Sequence, residues 1–162
     1  MKKVLSVLLV LLMLLSMAGC AEMMEAFSTL PQAVDDAQEQ AKSLPISGCY
    51  TTEEDVAKYI YLYGCLPPNF MTKEEARSLG WDGGSLEPYA PGKCIGGDVF
   101  KNYEGLLPDA PGRTWTECDI DTLGASSRGA KRIVFSNDGL IYVTYDHYES
   151  FKLLYSHFYG EP

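Results

Sequence analysis

The segment KRIVFSNDGLIYVTY, residues 131–145, carries most of the information about the fold. Two short runs rich in β-branched and aromatic residues, Lys131–Phe135 and Leu140–Tyr145, flank Asn137-Asp138-Gly139. Asp-Gly between such runs is a strong hairpin signal, because the tight turn needs backbone conformations that Asn, Asp and Gly adopt at low cost. Reading outward, the same strand-like composition recurs at Cys94–Phe100, Arg113–Asp119 and Ser150–Tyr155. N-terminal to these the period changes. Thr52 followed by Glu53, Glu54 and Asp55 predicts a helix start, with Val56, Ile60 and Tyr63 on one face; Gly64 and the prolines after Leu66 stop it. Thr72-Lys73-Glu74-Glu75 predicts a capping box for a second, short helix ending at Leu79-Gly80. Helices first and consecutive strands afterwards predict an α+β domain. Its N-terminal helices pack on one face of a five-stranded antiparallel sheet, and the other face is left to form a site.

A chain of 162 residues holds one such domain with a core of ordinary size. Hydrophobic content of 46% with 22% charged residues excludes a wholly disordered chain. The net charge of −9 argues against a surface that coats nucleic acid or anionic membrane, although it leaves room for a local basic patch. Residues 1–19 read as an export signal: Lys2 and Lys3, then an apolar run too short to be a stable span. The run ends in Met17-Ala18-Gly19-Cys20, which resembles the bacterial lipobox, so Cys20 is the expected lipid attachment point and first mature residue. Cleavage and release without a lipid is the alternative. Residues 20–48, rich in Ala, Gln and Glu, read as a tether, and residues 49–162 as the domain. Setting Cys20 apart leaves Cys49, Cys65, Cys94 and Cys118, an even number in an exported chain, and disulfides are therefore expected. A Cys94–Cys118 bridge across two neighbouring strands fits the map, but Cys49–Cys65 would have to span a helix, so the pairing stays open. The cysteine spacing lacks a zinc pattern, and neither a metal nor a cofactor is expected.

Five clusters in the domain carry chemistry: Lys73; KNYEG at 101–105; GRTWTECDI at 112–120; Arg128 with Lys131-Arg132; and Asp146-His147-Tyr148. Together they supply a carboxylate, an imidazole and several cations. A base can deprotonate an attacking hydroxyl, an acid can protonate the leaving oxygen, and cations can stabilise a phosphorane-like transition state. Read singly, Arg113 and Asp119 suggest ion pairing that supports a site. Trp81 and Trp115 suggest core residues, Gly96-Gly97 close backbone packing, and His157 no role.

The ordered set VAKYI, LP-NF-TK-EA, LGW, APGKCIGGDVF, N-EG-LP, GRTW-E-DI, R…RI and LIY-T-DHY, spread from Val56 to Lys152, resembles the barnase-like guanyl-preferring bacterial ribonucleases. The resemblance implies the five-stranded fold above and an endoribonuclease that forms a 2′,3′-cyclic phosphate and then hydrolyses it. It implies Glu117 as general base, His147 as general acid, and Arg128, Arg132 and Lys73 as phosphate-stabilising cations. It further implies guanine recognition by Glu104 and loop amides in the stretch Lys101, Asn102, Tyr103, with Phe100 under the base and Tyr148 on the site wall. Two positions depart from the family's pattern: Tyr103 stands where a cation precedes the base-reading Glu, and Leu106 replaces a basic residue. The loop from Asp119 to Arg128 is also one residue longer.

The expected partners are RNA as substrate, a barstar-like acidic intracellular inhibitor, and the membrane if Cys20 is lipidated; the domain is expected to be a monomer. The expected location is outside the bacterial cytoplasm, tethered or secreted. Competing readings are a non-catalytic RNA- or protein-binding module on the same fold, and a ribonuclease toxin of bacterial competition. From Tyr50 onward the chain has 10 basic and 17 acidic residues, so the domain itself is acidic. The positive charge is concentrated at Arg128, Lys131 and Arg132, which suits attraction at one phosphate rather than along a backbone.

Overall fold

Thr52 sits in extended backbone and its hydroxyl accepts from the Asp55 amide, which starts helix α1 (Glu53–Tyr63). Gly64 ends the helix in the left-handed region, where its N–H reaches the Ile60 carbonyl. The computed structural model describes residues 44–158, and these belong to one compact unit that begins at Leu44. The export signal (1–19), Cys20 and most of the tether lie outside the described residues. The last tether residues pack on the helix: the Tyr63 hydroxyl donates to Leu44 O and the Tyr59 hydroxyl to Ile46 O at 2.7 Å.

After α1 come a two-residue strand β1 (Phe70–Met71) and helix α2 (Lys73–Ser78). The capping box that starts α2 is present as expected, with Thr72 N–H on Glu75 Oε2 at 2.7 Å and Glu75 N–H on Thr72 Oγ1 at 3.2 Å. Strands β2 (Cys94–Phe100), β3 (Trp115–Asp119), β4 (Arg132–Ser136), β5 (Ile141–Thr144) and β6 (Lys152–Tyr155) follow. The sheet order is β1-β2-β3-β4-β5-β6, so each strand lies beside its neighbours in sequence. All five expected strands form, antiparallel to one another. The sixth, β1, joins the edge in parallel with β2. Two residues between prolines and a helix carry no alternation, which is why β1 is invisible in the sequence.

Alternation along the strands divides the sheet into two faces. Cys118, Ile133, Phe135, Ile141 and Val143 point to one side, where Val56, Ala57 and Ile60 of α1 close the main core. Trp115, Glu117 and Asp119 of β3 point to the other, with Arg132 and Val134 of β4 beside them by register. The β3–β4 pairing sets Glu117 opposite Val134 and Asp119 opposite Arg132. Both tryptophans are buried, as the sequence suggests.

Gly96-Gly97 makes a bulge where β2 pairs with β3. Gly97 has φ of +100°, and a Cβ on Gly96 would lie 2.5 Å from Cys118 Cβ, so both positions require glycine. The same close approach bears on the expected disulfides. Gly96, not Cys94, stands opposite Cys118. Cys94 is therefore a diagonal neighbour, with Cα atoms about 7–8 Å apart, beyond the usual disulfide range. All four described cysteines are free thiols, Cys94 and Cys118 buried, Cys49 and Cys65 exposed. Burial pushes the Cys118 thiol well above its ordinary pKa, as befits a core residue.

Candidate active site

Glu117 is 8% exposed at the middle of β3 and accepts two hydrogen bonds. Lys73 Nζ donates to Oε1, and the Tyr148 hydroxyl donates to Oε2. Lys73 reaches it because α2 is docked on the sheet: the Lys73 N–H donates to Asp98 Oδ2 at 3.0 Å, and Asp98 pairs with Glu117 in the β2–β3 register. Burial, followed by the adjacent Glu117, pushes the Tyr148 phenol far above the ordinary tyrosine range, so it stays a donor.

Two residues along the same face, Asp119 is 1% exposed and holds both arginines. Arg128 Nε donates to Oδ2 at 2.5 Å and Nη2 to Oδ1 at 2.8 Å. Arg132 Nε lies 2.8 Å from Oδ1, off the N–H axis, so this contact is one of charge rather than a directed hydrogen bond. The Arg132 guanidinium also donates to Lys131 O at 2.6 Å and Gly129 O at 3.1 Å, which ties the 121–131 loop to β4. The hydrogen bonds that Arg128 donates to Asp119 raise its pKa further, so this cation is permanent. Arg113 stands apart from this cluster and forks onto Asp138 of the hairpin turn, Nε at 2.9 Å and Nη2 at 2.6 Å. Both acid–base supports read from the sequence, Arg113 and Asp119, thus form the ion pairs expected of them.

His147 and Tyr148 follow β5 directly, and both have left-handed backbone, φ +59° and +77°. Such conformations are uncommon for residues with a Cβ, and two in succession need outside support. The His147 ring is exposed and lies against Tyr148, with centroids 4.9 Å apart. Tyr148 in turn stacks on Phe100 at 5.1 Å, and Phe151 meets Phe100 edge-on at 5.9 Å. The imidazole is therefore carried on the residue next to the one whose phenol rests on Glu117.

The 101–107 turn is closed by one side chain. Asn102 donates from Nδ2 to Leu107 O at 2.8 Å and accepts from Leu107 N–H at 3.0 Å. Its amide is thus committed to the turn, and what Asn102 can offer a ligand is backbone. Lys101, Tyr103 and Glu104 all point outward, Tyr103 with 86% exposure. The structure brings Lys73, Glu117, Arg128, Arg132 and Tyr148 into one cluster, with His147 beside it, and leaves Glu104 on the neighbouring exposed turn next to Phe100. Asp98, Thr144 and Ser150 also position parts of this cluster through side-chain bonds, to the Lys73 N–H for Asp98 and within the 144–150 loop for the other two, and residue type alone does not mark them for that role.

A carboxylate immobilised by two donors and two clamped arginines on one sheet face, with an exposed imidazole on the loop beside them, are suited to acid–base chemistry at an anionic group. Comparison with known proteins agrees. Residues 53–155 match the ribonuclease family. The chain is 52% identical over 102 residues to a ribonuclease of Heyndrickxia coagulans, covering 62% of this chain and 93% of that one. It is 52% identical over 102 residues to a ribonuclease of Bacillus intermedius, 62% of each chain. Over 57 residues, 35% of this chain and 56% of the relative, it is 44% identical to guanyl-specific ribonuclease St of Saccharopolyspora erythraea. The chain belongs to the ribonuclease family, as an endoribonuclease of the barnase-like microbial type.

Proposed function

We propose that this endoribonuclease is exported from the bacterial cytoplasm and cleaves single-stranded RNA after guanosine without a metal ion. Glu117 takes the proton from the ribose 2′-hydroxyl, and the 2′-oxygen attacks phosphorus. The bond from phosphorus to the 5′-oxygen breaks, and His147 gives that oxygen its proton. This leaves a 2′,3′-cyclic phosphate and a 5′-hydroxyl. Water then opens the ring, with the two residues in exchanged roles.

One arrangement supports this reading above all: Glu117 is held by Lys73 and Tyr148 beside the arginine pair clamped by Asp119. A carboxylate offers about four lone-pair sites, so two donors leave room for a hydroxyl on the same group. The arginines supply fixed positive charge for the extra negative charge that develops on the phosphoryl oxygens. Guanine preference follows from Glu104, which can accept from the base's N1 and N2 donors, and from the Phe100–Tyr148 stack beside it. The relative named guanyl-specific supports the same preference.

Lipid anchoring through Cys20, a monomeric state and docking of a barstar-like acidic inhibitor on the cationic face complete the proposal. The inhibitor would protect a host that makes the enzyme before export. Incubating the protein with RNA in excess EDTA is expected to give fragments ending in guanosine. Glu117→Ala and His147→Ala are each expected to lower the rate by about 10²–10⁴-fold. Full activity of both variants would remove the mechanism, and cleavage abolished by EDTA would remove its independence from metal.

A further inference from the structure

The loop that carries His147 is closed by a single carboxylate. Asp146 Oδ1 accepts from Thr144 Oγ1 at 2.7 Å and from the Ser150 N–H at 2.9 Å, while Oδ2 accepts from the Ser150 hydroxyl. The Thr144 hydroxyl, oriented as a donor toward Asp146, then turns its lone pairs to the Tyr148 N–H at 3.0 Å. A relay therefore runs from Asp146 through Thr144 to the backbone of Tyr148. The two residues it encloses, His147 and Tyr148, both have left-handed backbone. Besides the relay, the His147 N–H donates to Ala130 O at 3.2 Å, which joins this loop to the loop of Arg128.

The energetic logic follows from the backbone. Two successive left-handed residues with side chains persist only where surrounding contacts over-determine them. Thr144 is buried, whereas His147 and Ser150 are exposed, so no core packing holds the imidazole in place. Four hydrogen bonds that begin or end on Asp146 and Thr144 do so instead.

We propose that Asp146 is a positioning residue for the reaction, acting through the backbone of His147 and Tyr148 to place the general acid opposite the base. This rests on the assignment of His147 as general acid made above. Asp146 touches neither the phosphate cations nor Glu117, and its effect on rate passes through the loop.

Asp146→Ala is expected to lower kcat by about 10–100-fold, as a displacement of about 1 Å in a reacting group does, with KM within about threefold. Asp146→Asn keeps an oxygen for Thr144 and the Ser150 amide and is expected to stay within about threefold of the parent kcat. In a His147→Ala background, Asp146→Ala is expected to cost less than about threefold, because the group it places is gone. Amide exchange at Tyr148 is expected to accelerate at least about tenfold in Asp146→Ala, while the Val134 amide in the sheet is unchanged.

Equal loss in both backgrounds would overturn the proposal, as would an unchanged kcat in Asp146→Ala or unaltered exchange at Tyr148. Should Asp146→Ala fail to fold, Ser150→Ala removes the hydroxyl bond to Oδ2 while keeping the backbone one, and is read by the same two measurements. The exchange experiment needs no activity. An unchanged rate in His147→Ala with faster Tyr148 exchange in Asp146→Ala would therefore fault the acid assignment and not the anchoring of the loop.

Discussion

Asp119→Ala removes the carboxylate between Arg128 and Arg132, and the consequence can be worked from burial. The Arg132 side chain is 3% exposed and that of Arg128 23%. Arg128 can turn its guanidinium to water, as long cationic side chains do. Arg132 cannot, and a buried charge left without its partner costs about 3–5 kcal/mol. Its hydrogen bonds to Lys131 O, Gly129 O and Arg128 O survive, which favours the lower end, about 3 kcal/mol. For a domain of this size that is a fall in Tm of roughly 10–20 °C. Urea unfolding at neutral pH, followed by tryptophan fluorescence, measures it directly. Adding Arg132→Met to Asp119→Ala removes the orphaned charge and should recover at least about 1 kcal/mol, since apolar replacement of both partners is often close to neutral. A loss below about 1 kcal/mol in the single variant, or a further loss in the double, would refute the picture of a buried cation held by one carboxylate.

Gly96→Ala should destabilise by about 1–3 kcal/mol in the same urea assay, because its Cβ would meet Cys118 Cβ at 2.5 Å and Phe70 Cδ1 at 2.7 Å. The bonds from Ser150, then Thr144, bring the Asp146 carboxyl from an ordinary 3.8 down to about 2. A depressed carboxylate contributes fully above its unfolded value and loses its contribution as pH falls through the folded one. The Tyr148 amide shift should therefore hold from neutral pH to near pH 4 and move only as pH approaches about 2; a midpoint near 4 would contradict the hydrogen bonds assigned to Asp146. Binding of a non-cleavable RNA should weaken only modestly with salt, with a slope of about −1 in log K against log salt if one or two phosphates are neutralised. A slope steeper than about −4 would mean a long cationic track that the acidic domain does not show.

Most of the fold could be read directly because each element carries its own local signal. The Thr52 and Thr72 caps, the Asn137-Asp138-Gly139 turn and the 131–145 alternation are all short-range chemistry, and each reappears within two residues of its expected position. Register is different. The pairing sets Gly96 opposite Cys118, two residues on from the Cys94 that the expected cross-strand bridge required, and the two thiols are buried and separate. The same holds for the site. Glu117, Arg128, Arg132 and His147 are visible as residue types in ordered motifs. That Lys73 crosses to Glu117 while its backbone is held by Asp98 is a fact of tertiary packing, and no spacing in the sequence encodes it.

The acidic total and the RNA substrate are reconciled by how the charges are paired. Lys73, Arg128 and Arg132 contribute three positive charges to the site, and Glu117 with Asp119 contributes two negative ones. The cluster alone thus exerts little long-range pull. What it offers a phosphate is position: three cations whose geometry is set at folding by carboxylates on one strand, two residues apart. Preorganised charge stabilises a transition state because no reorganisation is needed when negative charge develops. Asp119 and Glu117 then differ only in exposure and in what remains free on them. Asp119 is sealed beneath both arginines and serves them, whereas Glu117 retains lone pairs toward the site. Under the proposed mechanism one strand face supplies both the anchor of the phosphate cations and the base: alternation puts Glu117 and Asp119 on that face, and the two-residue rise of about 6–7 Å keeps their roles apart.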